Sequence, residues 1–204
     1  MNFIFDLGAV VFRWEPRALL ARELPHHAGT PAAADRLFDS FFLDYEGEWG
    51  EFDRGTIEID AMVRGIAART GLTPAEVRRA VDAVPGALEP LEATVAWMRE
   101  LKGAGHRLFY LSNMPEPIAA HLVRSHALFE LFDDGVFSSH VKLVKPDAAI
   151  FRLALRQFGV PASECIFLDD RAANVEAARA QGWRGIVFID AAQAQNELRA
   201  LNWL

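Results

Sequence analysis

Four short apolar runs constrain this chain more than any other feature: Phe3-Ile4-Phe5, Leu108-Phe109-Tyr110-Leu111, Cys165-Ile166-Phe167-Leu168 and Ile186-Val187-Phe188-Ile189. A strand with one wet face alternates apolar and polar side chains. These runs do not alternate, and their β-branched and aromatic content suits strands covered on both faces. Helical patterns lie between and after them, at roughly residues 90–103, 116–125, 147–158, 172–182 and 191–201. Short, doubly covered strands separated by such helices make βαβ crossovers, so the expected fold class is α/β, a doubly wound and mainly parallel sheet.

Residues 15–85 break this alternation. Ala, Leu, Arg and Glu dominate, no β-type run occurs, and Ile59, Met62, Val63 and Ile66 recur at helical spacing. Thr73-Pro74-Ala75-Glu76 has the form of a capping box: the hydroxyl can accept the third amide, proline fits the first turn, and Glu76 can reach back. The expected organisation is an α/β domain built from residues 1–14 and 86–204, interrupted by a small α-helical domain at 15–85. A chain of 204 residues has room for both, since domains run to about 100–200 residues.

Asp and Glu number 28 against 21 Lys and Arg, a net charge of −7. A field of that sign repels phosphate backbones and anionic lipids, so neither nucleic acid nor a membrane is expected as partner. The single cysteine, Cys165, lies inside the third apolar run and reads as a small core residue that forms no intrachain disulfide. The apolar start lacks a basic stretch and Asp6 interrupts it before signal or membrane length, so the expected location is cytoplasmic. No feature of the sequence sets an oligomeric state.

Three of the runs end in polar side chains: Asp6 after the first, Ser112 and Asn113 after the second, Asp169 and Asp170 after the third. Ligands of open parallel sheets bind outside the carboxyl ends of the strands, so these groups are expected to converge on one crevice. Carboxylate oxygens in such a cluster suit Mg²⁺ rather than a soft metal. No phosphate-binding glycine loop, HExxH, CxxC or GxSxG motif occurs, and Gly103-Ala104-Gly105 precedes a strand, the wrong side for a dinucleotide turn.

The ordered set Asp6-Leu7-Gly8-Ala9-Val10, Leu111-Ser112-Asn113, Lys145-Pro146 and Leu168-Asp169-Asp170 with Asn174 resembles the four motifs of the haloacid dehalogenase (HAD) superfamily. The resemblance spans nearly the whole chain, and the helical insert falls where that family carries a small α-helical cap over a Rossmann-like core. It implies a hydrolase of phosphoric monoesters in which Asp6 is the nucleophile and forms an aspartyl-phosphate. Mg²⁺ would be held by Asp6, the Gly8 carbonyl and Asp170 or Asp169, with Asp170 favoured as the direct ligand. Ser112 and Asn113 would donate hydrogen bonds to the phosphoryl group of a small phosphorylated substrate, and Lys145 would offset its charge. Lys142 competes for that last role; Pro146 favours Lys145, because it suits a first helical turn and would hold Lys145 at a helix start. Asn174 is expected to orient the loop.

One position departs from the family pattern. Most of its phosphatases carry a second aspartate two residues after the nucleophile as general acid and base, help worth about 10²–10⁴-fold; here that residue is Gly8. The Asp-Leu-Gly opening resembles a bacterial subset that includes α-D-glucose-1-phosphate phosphatases, which implies a sugar phosphate substrate. Replacement acid would come from Glu46, Glu48 or water. Two rivals follow from Gly8: a 2-haloacid dehalogenase, which also lacks the second aspartate, and a regulatory protein that binds Mg²⁺ and phosphate with weak turnover. The paired Asp169-Asp170 favours the phosphatase. The stretch Phe41–Trp49 offers aromatics and acids for a sugar, with Arg13 and Trp14 nearby, while Phe41, Phe42 and Trp49 also suit a helical core. His26, His27 and His140 have no metal-ligand spacing.

Overall fold

Strand β1 (Asn2–Phe5) is buried along its whole length and forms the centre of the sheet. The other strands are β2 (Arg107–Ser112), β3 (Asp134–Phe137), β4 (Cys165–Asp169) and β5 (Arg184–Val187). The computed structural model describes residues 1–203. Among these the strand order is β3-β2-β1-β4-β5, and every neighbouring pair is parallel. Alternate side chains of a strand point to opposite faces. Phe3 and Phe5 join one apolar cluster with Leu108, Ile166 and Leu168, while Ile4 joins a second with Phe109, Leu111 and Phe167. Both faces are dry, which is why runs without polar alternation form strands here.

Between β1 and β2 lie α1 (Pro16–Glu23), α2 (Pro31–Phe42), α3 (Glu48–Arg54), α4 (Ile59–Thr70), α5 (Pro74–Asp82), α6 (Val84–Ala87) and α7 (Glu92–Gly103). After β2 come α8 (Glu116–Ser125), α9 (Ser138–Val141), α10 (Ala148–Phe158), α11 (Ala172–Ala180) and α12 (Ala191–Ala200). Trp97 and Met98 of α7 and Leu198 of α12 cover the Phe3 face; Phe151 and Phe158 of α10 and Ala178 of α11 cover the Ile4 face. Helices on both faces of a parallel sheet make the Rossmann-like, doubly wound arrangement expected from the sequence. The capping box forms as read: Glu76 N–H donates to Thr73 Oγ1 at 3.2 Å and Thr73 N–H to Glu76 Oε2 at 2.8 Å. No described helix is long and apolar enough to cross a membrane.

Three local features differ from the sequence reading. Strand β3 gave no signal, because it is an edge strand whose first two residues are Asp134 and Gly135. The last strand starts earlier than its apolar run: Arg184–Val187 pair with β4, and Ile189 lies beyond the strand, 76% exposed. Pro146 is not in a helix. It follows Lys145 through a cis peptide, in a turn where Asp147 N–H donates to the Val144 carbonyl at 2.9 Å, and α10 begins only at Ala148.

Gly135 is required by its neighbour. A Cβ there would stand 2.1 Å from Cε1 of Tyr110, and that ring is wedged between Phe132 (5.2 Å between centroids) and Phe137 (4.7 Å). Gly135→Ala should destabilise the protein by about 1–3 kcal/mol, the usual cost of overpacking. Urea denaturation reads this as a lower midpoint at unchanged slope; an unchanged midpoint would contradict the wedge.

Candidate active site

The strand ends converge. Asp6 follows β1 and stays in register with β4, its N–H donating to the Leu168 carbonyl at 2.8 Å. Its Oδ1 accepts the Leu7 N–H at 2.7 Å and lies 2.9 Å from Lys145 Nζ. Among the described residues no donor is bonded to Asp6 Oδ2. The chain then folds back sharply: the Leu7 carbonyl accepts the N–H groups of Val11 and Phe12, and Ala9 takes a left-handed conformation (φ 60°). The Gly8 carbonyl, inside this loop, accepts no hydrogen bond from any described residue.

Lys145 is the cation of the site. Its side chain is 1% exposed, and Nζ donates to Asp169 Oδ2 at 2.6 Å while contacting Asp6. Asn113 holds the lysine backbone from both sides, its Nδ2 donating to the Lys145 carbonyl at 2.9 Å and its Oδ1 accepting the Lys145 N–H at 2.8 Å. Both polar atoms of Asn113 are thus engaged in positioning. Lys142 points elsewhere, to the carbonyl of Gly55. Lys145 is held in place by Asn113 and the two carboxylates rather than by a helix start at Pro146.

The paired aspartates have different surroundings. Asp169, the buried last residue of β4, has both oxygens filled: Oδ1 accepts Arg171 N–H and Asn174 Nδ2, each at 2.9 Å, and Oδ2 accepts Lys145. Asn174 thereby orients the carboxylate, as its spacing suggested. Asp170 is exposed, with no ion-pair partner among the described residues. Asp6, Asp169 and Asp170 each bring one oxygen to within 4.8 Å of the others.

This crowding shifts the acids. Burial, with the charges of Asp169 and Asp170, raises Asp6 to about 7 against the pull of Lys145. Burial and the Asp169 charge also raise Asp170. For Lys145 burial works against the charge, but Asp169 and Asp6 outweigh it and hold the ammonium above its ordinary value.

Above the strand ends lies a cavity of about 360 Å³. Asp6, Gly8, Ser112, Asn113, Lys145 and Asp170 form its polar floor. The rest of its lining is mainly apolar, with Trp14, Phe38, Val84, Leu88, Met114 and Ile118, joined by the polar side chains of Arg17, Tyr45 and Arg171. Phe41 and Phe42 are buried in the helical insert and stay out of the cavity, whereas Trp49 packs there and also lines it. Arg13 lies outside, facing Glu15. The three histidines also lie outside: His27 meets Glu76, His140 meets Glu116, and His26 is exposed.

Sequence reasoning missed Asp53, a buried acid of α3 that lines the cavity. Burial and the nearby Asp6 charge push it up to about 8, opposed by a hydrogen bond from Trp49 and by Lys145. The acids considered from sequence fare differently. Glu48 is bonded to Arg69 at 2.6 Å, which lowers its pKa, and neither Glu46 nor Glu48 lines the cavity. One signal for Asp53 did exist, that it shares a helix face with Trp49 and Phe52, an acid on an apolar stripe, but it speaks for burial and not for a place in the cavity.

Fold and site together define an α/β protein with an acidic crevice at the carboxyl ends of its strands. The sequence profile of haloacid dehalogenase-like hydrolases matches residues 20–182, and the chain belongs to that family. It is 32% identical over 199 residues to the sesquiterpene phosphatase AstK of Aspergillus oryzae, an alignment covering 97% of this chain and 94% of the relative. A HAD family enzyme from Bacteroides thetaiotaomicron, solved in complex with magnesium and inorganic phosphate, superposes with a TM-score of 0.70 at 18% identity, over 91% of this chain and 92% of that one. The L-2-haloacid dehalogenase of Xanthobacter autotrophicus, with chloropropionic acid covalently bound, gives 0.66 at 16% identity, over 98% and 82%. At those identities the likeness concerns the fold alone.

The raised pKa of Asp53 has a consequence for stability. From its ordinary value of 3.8 to about 8, the folded protein keeps a proton that the unfolded chain has lost, so this group makes stability fall as pH rises. In chelator, Asp53→Asn should gain stability relative to the parent protein between about pH 4 and about pH 8, and the gap should then level off. Urea midpoints across that range measure it; a gap independent of pH would place the Asp53 carboxyl in water.

Proposed function

We propose that the protein is a Mg²⁺-dependent phosphomonoester hydrolase that works through an aspartyl-phosphate on Asp6. The observation that carries this reading is the lysine-held Asp6 beside a second accessible carboxylate, Asp170, on the floor of the cavity. Residues 1–14 and 86–204 would form the catalytic domain, and 15–85 the cap. The donor set fits Mg²⁺, since three carboxylates against one ammonium leave a negative, all-oxygen cluster. Asp6, Asp170 and the unbonded Gly8 carbonyl would hold the ion, with Asp169 fixing Lys145 behind them. When bound, Mg²⁺ neutralises charge on the phosphoryl oxygens.

Asp6 attacks phosphorus, and its bond to Lys145 aims the carboxylate and favours its ionised form against the effect of burial. Ser112 donates to the phosphoryl group, Asn113 holds Lys145 in line, and Lys145 balances the charge developing in transfer. Water then hydrolyses the aspartyl-phosphate and restores Asp6.

The leaving group we assign is an apolar alcohol rather than the sugar implied by the Asp-Leu-Gly opening. The side chains of Trp14, Phe38, Val84, Leu88, Met114 and Ile118 offer area to hydrocarbon, although Arg17, Tyr45 and Arg171 line the same cavity. The phosphatase similar over nearly its full length is named for sesquiterpenes, which supports the same choice.

With Mg²⁺, phosphate release from a sesquiterpenyl monophosphate should exceed that from glucose 1-phosphate at least about tenfold in kcat/KM, the scale on which apolar pockets discriminate. Chelator and Asp6→Asn should each abolish it. Halide release from a 2-haloacid in chelator, without phosphate release, would instead establish the dehalogenase. Mg²⁺ and phosphate binding without turnover would establish the regulatory protein.

A further inference from the structure

The loop after β1 has no acid to protonate the leaving alcohol. A Cβ at Gly8 would rest against Trp14 at 3.8 Å, and the Trp14 indole is fixed by donating to Tyr45 Oη at 3.0 Å. A side chain that supplies the proton has to come from another wall of the cavity. Among the described residues, one acid of the insert lines it: Asp53, 5% exposed and with no ion-pair partner.

Asp53 is also immobilised on the sheet domain. Its own carbonyl accepts Ser138 Oγ at 2.5 Å, and the same hydroxyl accepts Met114 N–H at 2.8 Å, two residues beyond Ser112. Arg54 bonds Asp147 at 3.4 Å, and Lys142 donates to the Gly55 carbonyl. At Gly55 (φ 72°) a Cβ would lie 2.8 Å from the Ser139 carbonyl, so α3 ends in backbone contact with α9. These bonds fix the backbone of α3 around Asp53, whose carboxyl lines the same cavity as Ser112, Asn113 and Lys145.

We propose that Asp53 is the general acid and base of this enzyme, taking the duty that Gly8 cannot perform; the assignment rests on the phosphomonoesterase reading above. As Asp6 forms its bond to phosphorus, the bond from phosphorus to the ester oxygen breaks and the Asp53 proton passes to that oxygen, releasing a neutral alcohol. In the second step water attacks phosphorus, Asp53 takes its proton, the Asp6–phosphorus bond breaks and orthophosphate leaves. Both carboxyls return to their starting states. The burial that raises Asp53 keeps the proton available for the first step.

The test uses the Mg²⁺-loaded full chain and two esters. A sesquiterpenyl monophosphate needs a proton on its leaving oxygen; p-nitrophenyl phosphate does not. In Asp53→Asn the terpenyl ester should lose turnover by about 10²–10⁴-fold. The aryl ester should give a burst of one nitrophenolate per active site followed by slow turnover, because only the second step needs the base. Terpenyl turnover within a few-fold of the parent protein, or folded Asp53→Asn without a burst, overturns the proposal. Should Asp53→Asn not fold, Asp53→Glu carries the test on the first turnover: it should slow release of the terpenyl alcohol more than release of nitrophenolate, and a folded variant that slows both first turnovers alike overturns the assignment. Parent protein that releases phosphate from neither ester sinks the phosphomonoesterase reading itself, and Asp53 with it.

Discussion

The buried ammonium of Lys145 is the interaction on which the rest of the site depends. It joins Asp6, at the end of β1, to Asp169, at the end of β4, and its backbone is gripped by Asn113, just past β2. One residue therefore ties three strand ends together. Burying a charge is costly unless partners surround it. Here two carboxylates do so, and Asp169 is itself satisfied by Asn174 and the Arg171 amide. Without the lysine, two acids would face each other with no cation between them.

That arrangement changes the meaning of the overall charge of −7. The sign argues against polyanionic partners at long range, yet the cluster of Asp6, Asp169 and Asp170 concentrates negative charge at the one place where a divalent cation would be most strongly attracted. On the proposed reading, Mg²⁺ and Lys145 reverse the local field, and an acidic protein receives an anionic phosphate. The two adjacent aspartates differ in exposure: the buried one positions the lysine, and on the proposed reading the exposed one would be left for the ion.

How much of this was legible in the sequence followed from how locally each feature is determined. Phe3–Phe5 and Cys165–Leu168 could be read because strands buried on both faces must be continuously apolar. The capping box at Thr73 is complete within four residues. Asp134 and Gly135 concealed β3, whose place is set by the Tyr110 ring on the neighbouring strand. Pro146 pointed to the lysine that lies beside Asp6 and Asp169, but not for the reason read from it, since what holds Lys145 comes from residues far away in the chain. Asp53 was only faintly legible, for the same cause: the apolar stripe it shares with Trp49 and Phe52 signals burial, not a place in the site. Its neighbours, Glu51-Phe52-Asp53-Arg54, are polar apart from Phe52, and the bond that holds its backbone comes from Ser138, far along the chain.

The cavity is lined by polar groups at the strand ends, by mainly apolar side chains to which the insert contributes, and by Asp53. In the usual family arrangement described by the motif pattern, the acid sits on the same loop as the nucleophile and is indifferent to what the insert holds. An acid carried by α3 links protonation to the element that packs the alcohol. Trp49, one turn before Asp53, lines the same cavity, so a leaving group that seats well against the apolar lining also places its oxygen near the proton donor. Binding energy from the hydrocarbon would then act on the transition state of the first step rather than on affinity alone. A polar alcohol of the same size would lose in turnover as well as in binding, and selectivity would arise without any contact that reads a hydroxyl.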